Sequence, residues 1–302
     1  MYDIIIVGAG PAGMTAALYA LRAQKKVLLI EGESYGGQIV ESQGVENYPG
    51  FTEINGYDLA ENMMRQLRAL QVELLSAHVD GIGPADGGFE VRMGTKTACG
   101  RAVILATGLK HRKLGVLGEE QFLGRGVSFC ALCDGGFFRG REVAVVGGGN
   151  TALQDALYLS ELCARVTLIH RREGFRAEEA LVEKARKNEK ITILTDTVVK
   201  EIRGEMTVRE LLLQNVRTKE ESTLAVSGIF EAVGQIPQNG AFASLVALDE
   251  SGYLTAGEDC KTDVAGIFAA GDCRTKEVRQ LTTATADGTV AAISAIAYLD
   301  AL

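Results

Sequence analysis

Two copies of one short pattern constrain this chain more than anything else in it. The β-branched run Tyr2–Val7 ends in Gly8-Ala9-Gly10-Pro11-Ala12-Gly13, and an alanine-rich helical stretch and a strand over residues 26–30 come next. Later, a run from Glu142 to Val146 ends in Gly147-Gly148-Gly149-Asn150-Thr151-Ala152, succeeded by another helical stretch and the strand Arg165–Ile169. Each is the opening of a βαβ unit with G-x-G-x-x-G/A between strand and helix. The glycines allow a tight turn, close approach of the backbone to a pyrophosphate, and close packing of helix on strand. One such motif is weak evidence. Two in the same context predict an α/β chain with two Rossmann-like dinucleotide-binding domains.

The two halves also close alike. An apolar strand over residues 103–106 runs into Thr107-Gly108, and another over residues 229–233 runs into Gly234. After Gly240 no third unit starts. The chain offers a short strand over residues 266–270, then Gly271-Asp272, then a small-residue helix from about Thr283 to the end. We read this tail as returning to the first half. The expectation is a discontinuous first dinucleotide-binding domain, residues 1–112 and 241–302, with the second, residues 113–240, inserted into it. Two sequential domains with a helical appendage are the alternative, and 302 residues suffice for either.

The residue that ends each second strand distinguishes the two nucleotides. An acidic side chain at that point bonds the 2′-hydroxyl of an adenosine ribose, whereas basic side chains accept a 2′-phosphate. Glu31 stands 23 positions beyond Gly8, and His170 stands 23 beyond Gly147, with Arg171, Arg172 and Arg176 just after it. The planar guanidinium fork suits bidentate phosphate recognition. The first half thus disfavours a 2′-phosphate and the second invites it, with a solvated cationic helix start as the minor alternative for the arginines. An NADPH site beside an unphosphorylated-ribose site suggests a hydride donor facing a bound carrier, FAD. Gly271-Asp272 fits that carrier, with a carboxylate at a strand end for the ribityl or pyrophosphate region.

Cys130 and Cys133 lie shortly before the second fingerprint, with Asp134 directly after them. The x-x spacing closes a small disulfide loop and commonly lowers the first thiol's pKa. Structural zinc needs four ligands, and Cys99, Cys163, Cys260, Cys273, His78, His111 and His170 are scattered without ligand spacing, so no metal is expected. Two inert buried thiols are the other alternative. Asp134 is placed to move the proton that thiol–disulfide exchange needs. The net charge of −8 argues against nucleic acid or an anionic membrane as partner. No apolar run approaches the ~20 residues of a membrane span. Met1 leads straight into a strand pattern, which points to a cytoplasmic protein without a signal peptide.

These residues together resemble the low-molecular-weight thioredoxin reductases. The likeness runs nearly end to end through GAGPAG at residues 8–13, GGQ at 36–38, ENYPG at 46–50, ATG at 106–108 and CALCDG at 130–135. It continues through GGGNTA at 147–152, HRREGFR at 170–176, AAGD at 269–272 and RQ at 279–280. The resemblance implies that Cys130 attacks the thioredoxin disulfide, Cys133 faces the flavin, and Asp134 donates a proton. It implies FAD contacts from Glu31, Gly36, Gly37, Gln38, Asn47, Thr107, Gly108, Gly271, Asp272, Arg279, Gln280 and Leu281, beside the first fingerprint. NADPH contacts would come from Gly147, Gly149, Asn150, Thr151, His170, the three arginines and Gly234, and the protein would be a homodimer. The sequence departs from the family at residues 234–239, where many members have Pro-Asn directly and this chain has Pro237-Gln238-Asn239.

Chain order adds a geometric demand. Dithiol and nicotinamide site belong to the same domain, yet both must reach one flavin, so a swivel about residues 110–115 and 235–240 is expected. Arg112, Lys113, Arg125, Arg139 and Arg141 flank the dithiol and would suit an acidic thioredoxin, or are merely solvated charges. Rival readings keep the chemistry but change the partner: a peroxidase-specific reductase, a ferredoxin-fed reductase or a dithiol oxidase. More distant are a redox sensor without turnover and a ferredoxin–NADP reductase, the last having no need of the cysteines.

Overall fold

The computed structural model describes residues 1–42 and 44–302. The chain divides into two compact units, Met1–Lys110 with Ile236–Leu302, and His111–Gln235. The two passages between them, Leu109–His111 and Gln235–Pro237, pair with each other as a two-stranded ribbon.

In the first unit, Glu73–Ser76, Val27–Glu31, Tyr2–Val7 and Lys96–Leu105 lie side by side in parallel. Gly88–Met93 and Gly81–Ala85 extend the sheet in antiparallel fashion along the first part of Lys96–Leu105. The last part of that long strand takes Ile267–Ala269 as a parallel neighbour, so the C-terminal segment completes the sheet begun at the N-terminus. The register places Val7 opposite both Ile30 and Leu105, and Ala269 opposite Leu105. Four strands therefore end level, and the turns that leave them share one edge.

That sheet is covered on one face by two small-residue helices, Pro11–Arg22 and Leu281–Asp300. Ala12, Ala16, Ala17 and Ala20 of the first meet Ala284, Ala291, Ala292 and Ala295 of the second in one core cluster. A Cβ on Gly288 would stand 2.2 Å from the Ala12 carbonyl oxygen, so only glycine permits this approach. Pro11 starts its helix at a position where the missing N–H costs nothing.

The second unit holds an all-parallel sheet in the order Ile191–Leu194, Arg165–Ile169, Glu142–Gly147, Gly228–Ala232, Val127–Ser128. Its strands read as nearly continuous apolar runs because both faces are covered. The helix Asn150–Leu162 packs on one face, and an antiparallel sheet of Thr197–Gly204, Val208–Asn215 and Glu221–Ala225 contributes to the core on the other. Val146 is level with Ile169, and Gly147 with Ala232, so Gly148, His170 and Val233 again leave from one edge.

Candidate functional site

At the level edge of the first unit the chain makes a glycine turn. Gly8 has φ +104°, which favours glycine, and a Cβ on Gly13 would fall 1.8 Å from the Gly8 carbonyl oxygen. Gly10 is different: a Cβ there would find nothing nearer than the Gly37 Cα at 4.0 Å. The first and third residues serve the turn and the packing, while the middle one leaves open space. Glu31 closes its strand and accepts hydrogen bonds from the Ala9 amide at 2.7 Å and the Glu33 amide at 2.9 Å. Each carboxylate oxygen keeps a second lone pair for another donor.

Other residues expected to contact the flavin cluster around this edge. The Gln38 side-chain amide donates to the Leu109 carbonyl at 2.6 Å, and Asn47 donates to the Gln280 side chain at 3.3 Å. Gln280 caps the helix Leu281–Asp300 in a reciprocal exchange with Thr283. Arg279 lies over the Tyr253 ring at 4.3 Å and donates to the Asp272 carbonyl at 3.4 Å. Gly36 and Gly271 take φ +104° and +81°, and Gly37 and Gly108 lie near +60°. Asp272 is the informative residue. Its Oδ1 is buried and has no hydrogen-bond partner, and burial pushes its pKa up to about 6, while Lys276 and Arg279 pull it down and Asp287 adds to the rise. A buried carboxylate oxygen without a donor is rare in a finished site, and a ligand hydroxyl would satisfy it. The open space over Gly10 and the orphaned Asp272 oxygen together fit a dinucleotide carrying a polyol chain.

The edge of the second unit repeats the glycine logic with a different rim. A Cβ on Gly147 would stand 2.4 Å from the Ala232 carbonyl oxygen, whereas Gly149 and Gly234 have nothing within 4 Å. Arg176 donates its backbone N–H to the Gly148 carbonyl at 2.8 Å, which ties the arginine loop to the glycine turn. Arg171, Arg172 and Arg176 are all exposed, and none makes an ion pair among the described residues. His170 sits otherwise than its offset suggests. Its ring is buried beneath Gly148, whose Cβ would collide with it at 2.0 Å, and it stacks on Phe175 at 5.1 Å. Burial lowers its pKa, with the three arginines acting in the same direction, so it brings a neutral ring to the site and leaves the positive charge to them. Asn150 exchanges hydrogen bonds with Glu178, through its side chain in both directions, and Thr151 is exposed in the next position.

The dithiol belongs to this same unit. Cys130 and Cys133 are joined in a disulfide across the short helix Ala131–Asp134, with Cα atoms 5.3 Å apart. The Cys133 amide donates to the Cys130 Sγ at 3.2 Å. Ser128 donates its hydroxyl to Asp134 Oδ2 at 2.6 Å and accepts the Cys130 amide at 3.1 Å, so one side chain anchors both the acid and the first cysteine. Burial raises the Asp134 pKa and the Ser128 bond only partly offsets it. The preceding Phe129 stacks flat on His111 at 4.4 Å. Leu132 and Phe137 stand exposed on either side of the second cysteine, near exposed Arg139 and Arg141.

Two supports of the candidate site were not visible in the sequence. Asn239 is completely buried, accepts from the Thr107 hydroxyl at 2.8 Å, and donates to the Gly252 and Cys273 carbonyls at 2.9 Å each. It thereby ties the closing strand of the first unit to the turn that carries Asp272. The other is Asp287, which binds the Gly271 amide from the C-terminal helix. The unit boundary near Asn239 falls at Gln235, earlier than residue 240, because these contacts anchor Asn239 in the first unit.

The chain belongs to the pyridine nucleotide-disulphide oxidoreductase family, whose pattern matches residues 2–288, and it is an oxidoreductase. Its relatives include thioredoxin reductases. It is 45% identical to a thioredoxin reductase of Treponema pallidum (strain Nichols), over 100% of this chain and 98% of that one. It is 43% identical to a bifunctional thioredoxin reductase/thioredoxin of Mycobacterium leprae (strain TN), over 99% of this chain and 66% of that protein. The crystal structure of a thioredoxin reductase from Streptococcus pyogenes MGAS5005 superposes with a TM-score of 0.96 at 41% identity, covering 100% of this chain and 99% of that one. The expected fold class, two Rossmann-like domains with one inserted in the other, is that of these structures.

Proposed function

We propose that this chain is an NADPH-dependent thioredoxin-disulfide reductase that works with FAD. The observation that carries the reading is the Cys130–Cys133 disulfide with the half-buried, Ser128-anchored Asp134 beside it, in the same unit as three arginines at a Rossmann edge that make no ion pair among the described residues. The unit Met1–Lys110 with Ile236–Leu302 would hold FAD along Gly8, Gly10, Glu31 and Asp272. The unit His111–Gln235 would hold NADPH along Gly149, Arg171, Arg172, Arg176 and Gly234. When bound, FAD would supply a two-electron carrier between nicotinamide and disulfide.

The chain's own residues then act on the protein substrate. In the dithiol form, the Cys133 amide directed at the Cys130 Sγ favours thiolate over thiol. The Cys130 thiolate attacks one sulfur of the thioredoxin disulfide, forming a mixed disulfide and expelling the other sulfur, which takes a proton from Asp134. Cys133 next gives its proton to the now ionised Asp134 and attacks the Cys130 Sγ, expelling the second thioredoxin sulfur, which takes that proton. This restores the 130–133 disulfide and releases thioredoxin with both sulfurs reduced, so two electrons and two protons have passed to it. Exposed Leu132 and Phe137, with Arg139 and Arg141, offer an apolar contact rimmed by positive charge for an acidic partner.

Because dithiol and nicotinamide site share a unit, that unit would rotate between the half-reactions about residues 110–115 and 235–240. Among the described residues no helix is long and apolar enough to cross a membrane. A cytoplasmic homodimer is part of this reading on the family likeness alone. Steady-state NADPH oxidation with thioredoxin, comparing wild type and Cys133→Ser, tests the assignment. Wild type should turn over and the variant should not. Failure of wild type to reduce any thioredoxin overturns it.

A further inference from the structure

Behind the Gly271–Asp272 turn lies a buried cluster of charge that the proposed thiol–disulfide exchange leaves unused. Asp287, in the C-terminal helix, accepts four hydrogen bonds. Its Oδ2 takes the Gly271 amide at 3.0 Å, Arg274 Nε at 2.8 Å and Lys276 Nζ at 2.9 Å, and its Oδ1 takes Arg274 Nη2 at 2.8 Å. The Arg274 and Lys276 side chains are 3% and 7% exposed, and that of Asp287 is 9% exposed. Arg274 spends its Nη1 on the Ala256 and Thr275 carbonyls. Two cations thus share one buried carboxylate, which leaves one positive charge in excess. Burying an ammonium costs several kcal/mol unless another charge repays it. The group nearby that can do so is Asp272, whose Oδ1 is buried without a partner and which feels Lys276 directly.

Resting on the flavin reading of this edge, we propose that Asp287, Arg274 and Lys276 form a positioning device for FAD: Asp287 fixes the Gly271 amide, and Lys276 is the excess cation that keeps the Asp272 carboxylate ionised toward a flavin hydroxyl. Asp287 acts through the turn and Lys276 through the field, and neither needs to touch the ligand. The other groups facing this device are few. Arg279 acts on Asp272 in the same direction as Lys276, and Asp287 opposes both. Cys260 donates its thiol to the Asp287 carbonyl at 3.6 Å, and burial pushes its pKa up to about 12, so it stays neutral. Glu258 lies 3.7 Å from Arg274, but it is 99% exposed and solvent screens it. Cys273 donates its thiol to the Leu105 and Ala270 carbonyls, and burial raises its pKa.

The test is flavin release from purified holoprotein, monitored by recovery of free-flavin fluorescence across a pH series, with thermal unfolding recorded alongside. Removing a cation whose field pulls a carboxylate's pKa down raises that pKa. In Lys276→Met the pH below which flavin is lost should therefore move up, Lys276→Arg should restore the wild-type midpoint, and Asp272→Asn should abolish the midpoint. Asp287→Asn should speed release at every pH. If Lys276→Met shifts the unfolding temperature but releases flavin with the wild-type pH profile, the cluster is only structural and the proposal fails. A wild-type protein that neither contains nor takes up FAD fails the flavin reading itself, a separate outcome.

Discussion

Glu231 is a buried acid whose titration should be measurable as stability. It lies in the strand Gly228–Ala232 with 3% exposure, and neither carboxyl oxygen meets a hydrogen-bond partner of good geometry. Glu119, equally buried, already accepts the amides of Leu114, Gly115 and Val116. Burial first, and then the neighbouring Glu119, push the Glu231 pKa up to about 9 from an ordinary 4.5. Linkage sets the sign: the unfolded chain releases this proton as pH passes the ordinary value, whereas the folded protein keeps it until near 9. The stability contributed by the protonated form is complete below the ordinary pKa and is lost progressively as pH rises toward the folded one.

Each pH unit inside that window costs about 1.4 kcal/mol. Moving from about pH 7 to about pH 8.5 should therefore remove about 2 kcal/mol. Glu231→Gln keeps the shape, can donate to Glu119, and has no proton to lose. Relative to wild type, its unfolding temperature should rise by about 4–8 °C between those two conditions, at roughly 2–4 °C per kcal/mol for a protein of this size. Differential scanning calorimetry of both proteins at both pH values gives the answer. A difference between variant and wild type that is the same at both pH values would refute the reasoning, because Glu231 would then not be titrating in the window.

Replacing Arg171, Arg172 and Arg176 singly by alanine should raise the KM for NADPH by roughly tenfold or more each, since a charge-assisted hydrogen bond contributes about 1.5–3 kcal/mol, and should leave the KM for NADH nearly unchanged; steady-state kinetics with both coenzymes separates the two. Reversing Arg139 and Arg141 to glutamate should weaken the apparent affinity for thioredoxin and flatten its dependence on ionic strength. Unchanged affinity and unchanged salt dependence would remove these two residues from the docking surface. If rotation of the His111–Gln235 unit gates the reaction, flavin reduction by NADPH in stopped flow should reach a ceiling that falls as solvent viscosity rises.

The parts of this protein that were legible in its sequence are those written in backbone geometry over short windows. Gly8 and Gly13 stand where a positive φ and a Cβ 1.8 Å from a carbonyl oxygen demand glycine, so the turns could be read directly. The matched offsets of Glu31 and His170 were legible because parallel register ends each second strand level with the first. An offset places a Cα, however, and not a side chain. Glu31 keeps its carboxylate at the glycine turn, while the His170 ring fills the space that Gly148 leaves beneath itself and leaves the cationic rim to the arginines. Groups that set charge were harder to see. Asn239 joins Thr107, Gly252 and Cys273, and Asp287 joins Gly271, Arg274 and Lys276, from segments with no shared period. Each is a single polar residue whose meaning depends on what the fold brings to it. Glycine turns report where a ligand's backbone contacts fall, and buried polar residues gathered from distant segments decide what charge the ligand meets there. The orphaned Asp272 oxygen belongs to both groups, since a glycine turn carries it and its pKa answers first to burial and then to Lys276, Arg279 and Asp287. Its ionisation is therefore the point at which fold and chemistry can be tested together.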